Sequence, residues 1–195
     1  MQPINFLLFQ DFETLDAFGP AEILGSCEEF ELRFYSVGGA AIRSAQGVVV
    51  QTQPLFAIDE GGVLLVPGGR GTRALVRDET FLQTLRALAA AAPFVLAVCT
   101  GSALLAKAGL LSGRRATSNK RAFDWAASQD PGALWQRRAR WMADGKFYSS
   151  SGVSAGMDMA LGFIADRLGR ERAQALAAAI EYLWNEDRDF DPFSG

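Results

Sequence analysis

The residue with the clearest capacity for chemistry is a cysteine at a predicted turn from strand to helix. Cys99 follows the apolar run Phe94–Val98, which predicts a buried strand, and precedes Ser102–Lys107, an Ala- and Leu-rich run typical of a helix. The pattern Ala-x-Cys-x-Gly is the thiol version of a nucleophile elbow, which needs small neighbours. Positive partial charge at the helix start predicts a thiol pKa below its ordinary value of about 8.5. The alternative is an inert, buried core thiol.

The absence of histidine limits what could activate this thiol. The chain contains no His, which excludes Ser-His-Asp and Cys-His arrangements and the common histidine-based zinc sites, so we expect no metal. Proton transfer must then come from a carboxylate, a hydroxyl, a lysine or the backbone. Asp16 is one candidate because it follows the first predicted strand, although its position alone favours a helix-capping role.

A glycine-rich loop is the second feature that could contact a ligand. The buried strand Val63–Val66 ends in Pro-Gly-Gly-Arg-Gly, and Gly68 and Gly69 could present bare backbone N–H groups. The loop matches neither a P-loop nor a Gly-x-Gly-x-x-Gly dinucleotide motif. A tight turn without a ligand is the alternative.

The elements that position these residues alternate along the chain. Further strands are predicted at Ile4–Phe9 and Phe30–Ser36, as a hairpin within 41–53, and as a pair around the Asp144-Gly145 turn within 134–151. Helices are predicted from Pro20 to Cys27, from Thr72 or Asp78 to Ala92, and over 121–128, 154–168 and 170–184. Such alternation predicts an α/β fold with a mostly parallel sheet covered on both faces. Functional groups of such sheets gather at the carboxyl ends of the strands.

Composition indicates one globular domain over residues 1–195 without a global basic field. The hydrophobic fraction is 49% and the net charge is −3, so we expect no nucleic-acid partner. Arg137, Arg138 and Arg140 alternate with Trp135 and Trp141, which predicts the solvated face of a half-exposed strand. Residues 87–106 carry no charge over the length of a membrane span, but Pro93 and a polar Thr-Gly-Ser indicate helix, strand, elbow and helix instead.

Cys27 and Asp158 are predicted to have structural rather than chemical roles. Cys27 and Cys99 form no Cys-x-x-Cys pair, and the amino terminus lacks the features of a signal peptide, so we expect a reduced, cytoplasmic protein. Cys27 is expected in the core. Asp158 lies early in a predicted helix and is expected to interact with the helix dipole or a packing partner.

Four ordered segments carry a family resemblance that covers residues 4–184. They resemble the signatures of the ThiJ/PfpI superfamily and read LLFQDFETLDAFGP, VPGGRG, VCTGSALLAKAGLLSGRRAT and SSGVSAGMDMAL. The resemblance implies a class I glutamine-amidotransferase-like fold, that is, a flavodoxin-like three-layer sandwich. Within the superfamily, Leu-Asp-x-x-Gly-Pro around Asp16 and the Thr after Cys99 resemble the isonitrile hydratases.

That resemblance implies roles for the candidate residues. Cys99 would attack the isonitrile carbon, Asp16 would act as general acid and base, and Thr100 would assist. Backbone N–H groups of Gly69 and Thr100 would cradle developing charge. The substrate site would also include Gly68, Asn119, Gly152 and Val153. No cofactor is implied, the substrate is a small molecule, and a homodimer is expected, with contacts from the last helix at Ala173, Leu176, Ile180, Leu183 and Trp184.

One departure from the family pattern leaves alternatives open. Asn119 stands where many relatives carry a His, which argues against protease or triad-type amidase activity. A glyoxalase or deglycase-like activity on α-oxoaldehydes is one alternative, and a redox-sensing or binding module based on Cys99 is another. Some transcriptional regulators share the motifs, but they require an additional DNA-binding domain, which the printed sequence does not contain.

Overall fold

The computed structural model describes residues 1–58 and 61–194. The strands are β1 (Gln2–Leu7), β2 (Phe30–Ser36), β3 (Ala41–Arg43), β4 (Val49–Gln51), β5 (Gln53–Pro54), β6 (Val63–Val66), β7 (Val95–Ala97), β8 (Arg115–Ala116), β9 (Leu134–Trp135), β10 (Trp141–Asp144) and β11 (Phe147–Ser150). The helices are α1 (Thr14–Gly25), α2 (Thr72–Leu75), α3 (Glu79–Ala91), α4 (Gly101–Lys107), α5 (Phe123–Ala127), α6 (Ala155–Leu168) and α7 (Arg170–Ala179), with one 3-10 turn at Leu55–Ala57.

Seven strands form the central sheet, in the order β10-β11-β7-β6-β1-β2-β5. Every neighbouring pair is parallel except β10 and β11, which form an antiparallel hairpin around Asp144 and Phe147. The four residues of β6 are all buried, as expected for a strand with helices above and below it. The predicted α/β architecture with a mostly parallel sheet is confirmed.

Two groups of helices cover the sheet. Helices α1 and α7 each contact α6, and α2, α3, α4 and α5 form the second group. On the first side, the ring of Phe163 in α6 packs edge-on against Tyr148 of β11 and against Phe94, with centroid distances of 5.3 and 5.4 Å. Burial of these rings removes a large apolar area from water and fixes α6 on the sheet.

Three helix bounds differ from the prediction. Helix α1 begins at Thr14 and contains Pro20, whereas the sequence predicted a start at Pro20. Within α1, Pro20 packs closely against Gly156 of α6: a Cβ on Gly156 would lie 3.3 Å from Pro20 Cγ. The predicted helix after the glycine loop is divided into α2 and α3, and α7 ends at Ala179 rather than Trp184.

The predicted solvated arginine face is wrong at Arg140. Residues 136–140 connect β9 to β10, and Arg140 is only 5% exposed. Its guanidinium forms ion pairs with Asp158 at 2.8 Å and Asp191 at 3.5 Å. A sequence pattern of alternating Arg and Trp does not reveal these partners, which come from a distant helix and the carboxyl-terminal tail. The structural role expected for Asp158 is confirmed by this ion pair.

The last helix is partly buried against the rest of the same chain. Ala173 and Leu176, predicted as dimer contacts, are buried, whereas Leu183 is 94% exposed. The homodimer therefore stays a prediction, with Leu183 rather than the buried pair available for contact. Among the described residues, none of the helices combines the length and apolar character needed to cross a membrane.

The first residue of α4 provides a test of the elbow packing. A Cβ on Gly101 would lie 2.9 Å from the carbonyl oxygen of Pro67, so Gly101→Ala must push two strand ends apart. We expect a loss of about 1–3 kcal/mol in the free energy of unfolding, measured by urea denaturation. Gly38→Ala is the matched control, because a Cβ there would meet no atom within 4 Å. Equal stability of the two variants would contradict this account of the elbow.

Candidate active site

The candidate residues gather at the carboxyl ends of four adjacent strands. Asp16 follows β1, the glycine loop follows β6, Cys99 follows β7 and Gly152 follows β11. These strands are neighbours in the sheet, so their ends meet at one edge, where ligand sites of open α/β sheets lie. Asn119 joins them from the segment after β8.

Cys99 occupies a true elbow between β7 and α4. Its φ is +57°, a left-handed conformation that is uncommon for a residue with a side chain. The carbonyl oxygen of Cys99 accepts hydrogen bonds from the hydroxyls of Ser102 at 2.9 Å and Ser118 at 3.0 Å, and its N–H donates to Ser150. These bonds hold the strained backbone in place. The predicted elbow geometry is therefore present.

Asp16 lies in the first turn of α1 and is fully buried. Its Oδ2 accepts a hydrogen bond from the N–H of Gly68 at 2.9 Å. No N–H or O–H group of the described residues donates to the second oxygen, Oδ1, which leaves that oxygen available to the neighbouring thiol. The Asp16 and Cys99 side chains influence each other: the thiol lowers the pKa of the carboxyl, and the carboxylate raises the pKa of the thiol. The structure therefore brings the predicted pair together.

Burial determines the protonation of both groups. Desolvation raises the pKa of Asp16 well above its ordinary value of 3.8, and the N–H of Gly68 offsets only part of that effect. The pKa of Cys99 is also raised, first by desolvation and second by the negative charge of Asp16. The sequence-based expectation of a lowered thiol pKa is wrong, because burial and a neighbouring carboxylate outweigh the hydrogen bonds that favour the thiolate.

The glycine loop supports the pair rather than offering free donors. The N–H of Gly69 donates to Thr100 Oγ1 at 3.0 Å, and the N–H of Gly68 is bound to Asp16. The prediction that Gly69 contributes an oxyanion donor is therefore not met, since Thr100 already accepts that N–H. The predicted donor that does reach the sulfur is the backbone N–H of Thr100, which lowers the pKa of Cys99.

Lack of a side chain at Gly68 permits this close arrangement. A Cβ there would lie 2.6 Å from Thr100 Oγ1 and 2.8 Å from Asp16 Oδ2. Gly69 has a φ of +121°, a conformation that favours glycine. The tight-turn interpretation of the loop therefore holds for Gly69. At Gly68, the absence of a side chain leaves room for the Asp16 carboxyl.

Asn119 and Gly152 complete the surroundings of the sulfur. A hydrogen bond from the Asn119 side chain lowers the pKa of Cys99, and Asn119 Oδ1 accepts from the N–H of Ala122 at 3.0 Å. A Cβ on Gly152 would lie 2.9 Å from Cys99 Sγ, so only glycine fits there without displacement. Asn119 thus places a carboxamide, which donates a hydrogen bond and does not titrate, beside the sulfur.

A cavity of about 340 Å³ adjoins this cluster. Its lining includes the predicted residues Asn119, Gly152 and Val153. It also includes residues that the sequence did not indicate, namely Leu15, Lys120, Arg121 and Phe193. Burial lowers the pKa of Lys120 to about 8, and its ammonium group donates to Thr117 and Ala139.

The residues missed from the sequence carried little local signal. Leu15 directly precedes Asp16, so its place beside the site could have been inferred from the helix. Phe193 belongs to an irregular acidic tail, in which no periodicity or motif indicates a contact. Cys27 is buried, as predicted, and its thiol donates to Glu29 away from the cavity.

Residues 1–58 and 61–194 contain no cluster of three or more Cys, Asp or Glu residues that could hold a metal ion. The functional groups at the sheet edge are accordingly one thiol, one carboxyl, one carboxamide, and backbone N–H groups.

Comparison with known proteins gives the family. Residues 2–166 match the model of the DJ-1/PfpI family. The chain is 34% identical over 182 residues to isonitrile hydratase of Pseudomonas putida, an alignment that covers 92% of this chain and 78% of that enzyme. It is 30% identical over 199 residues to the transcriptional regulator GbdR of Pseudomonas aeruginosa, covering 96% of this chain and 51% of the regulator.

A solved structure agrees with that assignment. A ThiJ/PfpI family protein from Pseudomonas syringae superposes with a TM-score of 0.86 at 28% identity, over 98% of this chain and 76% of that protein. The predicted flavodoxin-like fold is therefore confirmed. By its matched residues and its fold, the chain belongs to the DJ-1/PfpI family.

Proposed function

We propose that this chain hydrates an isonitrile to an N-substituted formamide, with Cys99 as the nucleophile and Asp16 as the proton carrier. The observation that carries the proposal is a buried thiol and a buried carboxyl at the same edge of the sheet, in a chain without histidine. Hydration has no leaving group to protonate, so one carboxyl can serve first as acid and then as base. The similarity to the hydratase of Pseudomonas putida supports the same reaction.

The first half of the reaction forms a thioimidate. Cys99 Sγ attacks the terminal carbon of R–N≡C, a C–S bond forms, and the thiol proton passes to the Asp16 carboxylate. Asp16 then delivers that proton to the same carbon, which gives R–N=CH–S-Cys99. Because the pKa values of both groups are raised, two adjacent anions are disfavoured, and this step needs only one proton shared by the pair.

The second half returns the enzyme to its starting state. Asp16 deprotonates a water molecule that attacks the thioimidate carbon, and this proton is passed to the substrate nitrogen. The C–S bond then breaks as the new hydroxyl becomes a carbonyl, and its proton returns to sulfur through Asp16. The sum is one isonitrile plus one water to one formamide, with no change of oxidation state overall.

Two donors are placed to stabilise the sulfur as its charge changes. The N–H of Thr100 and the carboxamide of Asn119 both lower the pKa of Cys99 and therefore favour negative charge on it. Neither donor titrates in the physiological range, so their effect is constant with pH. Removal of one such donor typically costs about 3–4 kcal/mol of transition-state stabilisation.

The alternatives fit the site less well. Oxidation of a sensor cysteine follows thiolate character and exposure, whereas Cys99 is 5% exposed and its pKa is raised. An α-oxoaldehyde is hydrated and polar, whereas Leu15, Val153 and Phe193 give the adjoining cavity an apolar side. An isonitrile has no hydrogen-bond donor to satisfy, and its nitrogen substituent can lie against that apolar side.

The activity prediction uses a simple alkyl isonitrile as the substrate, and formation of the formamide is the quantity measured. Cys99→Ala should abolish formamide production, and Asp16→Asn should lower kcat/KM by roughly 10²–10⁴-fold because the proton carrier is lost. Cys27→Ala is the matched control and should retain activity, since Cys27 lies outside the cavity. If the wild-type protein leaves the isonitrile unchanged but consumes methylglyoxal, the hydratase function is rejected in favour of the glyoxalase-like alternative.

The second prediction concerns the thiol itself. Asp16→Asn removes a negative charge that raises the pKa of Cys99, so the pKa of the thiol should fall. Asn119→Ala removes a donor that lowers it, so the pKa of the thiol should rise. The pH dependence of iodoacetamide labelling, read at Cys99 by peptide mass spectrometry, measures both shifts. Shifts of the same sign in the two variants would contradict the assigned contacts.

The third prediction concerns stability. The pKa of Asp16 is raised in the folded state. The stability linked to its neutral, protonated form is fully present below about pH 3.8, and it is lost as the pH rises through the folded-state pKa and the buried carboxyl ionises. Asp16→Asn should therefore melt several degrees higher than wild type at pH 7.5, with a smaller difference at pH 4. About 1 kcal/mol corresponds to roughly 2–4 °C for a chain of this size.

The control for that measurement is Asp189→Asn, since Asp189 is exposed and should show no such pH-dependent difference. A melting temperature of Asp16→Asn equal to or below that of wild type at pH 7.5 would show that the buried carboxylate carries no cost.

A further inference from the structure

The carboxyl-terminal tail brings an aromatic side chain to the cavity beside Cys99. Phe193 lines that cavity together with Leu15 and Val153, and its side chain is 71% exposed. The tail lies outside residues 2–166, the part of the chain that matches the family model. Phe193 therefore lies outside the part of the chain that the family model matches.

A buried ion pair fixes the position of the tail. Asp191 is fully buried, and its Oδ2 lies 3.5 Å from Nη1 of Arg140. Two backbone hydrogen bonds reinforce the attachment, from Arg140 N–H to the Arg188 carbonyl at 2.7 Å and from Asp191 N–H to the Arg138 carbonyl at 2.6 Å. Loss of one partner would leave a buried charge unpaired, so the tail is strongly held at this point.

The same aspartate orients the aromatic residue. Asp191 Oδ1 accepts a hydrogen bond from the N–H of Phe193 at 2.9 Å. On the opposite side, Nη2 of Arg140 donates to Oγ of Ser154 at 3.1 Å, and Ser154 also lines the cavity. One guanidinium thus connects the cavity wall to the residue that sets the direction of Phe193.

We propose that Phe193 selects isonitriles whose nitrogen carries an aryl or bulky alkyl group, an inference that rests on the proposed function. The C–N≡C unit is linear, so a substrate with its terminal carbon at Cys99 extends its substituent away from the sulfur and through the adjoining cavity. There Phe193, Leu15 and Val153 offer apolar contact. An exposed ring gains most from an apolar partner, because it still has surface to remove from water.

Steady-state kinetics with benzyl isonitrile and methyl isonitrile test the proposal. Phe193→Ala should raise KM for benzyl isonitrile about tenfold with kcat nearly unchanged, because a hydrophobic contact contributes mainly to binding. KM for methyl isonitrile should change little. Phe190→Ala is the matched control, since Phe190 is an exposed aromatic of the same tail that stacks near Arg138 and does not line the cavity.

A labelling experiment separates this proposal from the hydratase assignment. The rates at which 2-iodo-N-benzylacetamide and 2-iodo-N-methylacetamide label Cys99 are compared by peptide mass spectrometry. Phe193→Ala, but not Phe190→Ala, should lower the benzyl-to-methyl rate ratio several-fold, whether or not the protein turns over isonitriles. Absence of turnover in wild type with a changed ratio would reject the hydratase and retain the aryl contact.

Two results would overturn the role of Phe193. The first is the same benzyl-to-methyl ratio in Phe193→Ala, Phe190→Ala and wild type. The second is failure of both reagents to label Cys99 at any accessible pH, since the cavity would then not lead to the sulfur.

Discussion

Burial of the Asp16 carboxyl against the Cys99 thiol is the constraint around which the sheet edge is built. Both groups lose water on folding, which raises the pKa of each, and the negative charge of Asp16 raises the pKa of the thiol further. The fold compensates only in part, through the N–H of Gly68 on one side and the donors of Thr100 and Asn119 on the other. Such an arrangement costs stability, as functional sites commonly do, and it keeps a mobile proton beside a nucleophile.

Close approach of backbone segments makes that burial possible. Gly68, Gly101 and Gly152 each stand where a Cβ would collide with a neighbouring strand end, a carboxyl or the sulfur itself. The glycines of the three motifs therefore have a steric explanation in this chain. They bring the ends of β6, β7 and β11 together closely enough for one carboxyl to reach one thiol.

The sequence was most informative where a local pattern decides the structure. Strands Phe30–Ser36 and Val63–Val66 were predicted with their observed bounds, because alternation and continuous apolar runs report burial directly. The sequence predicted the wrong direction for the shift of the thiol pKa and the wrong exposure for Arg140. It did not predict the contact of Phe193 with the cavity. Each of these depends on groups distant in the sequence, namely Asp16 and the tail residue Asp191.

The carboxamide of Asn119 limits which reactions this site can support. An imidazole at that position could protonate a leaving amine, as amide hydrolysis requires, whereas a carboxamide can donate a hydrogen bond but cannot transfer a proton. Proton movement near Cys99 then depends on Asp16, because the nearby Lys120 directs its ammonium group to Thr117 and Ala139. Addition of water to an isonitrile expels no amine, so it needs only the proton transfers that one carboxyl can supply, whereas cleavage of an amide also requires protonation of a leaving amine.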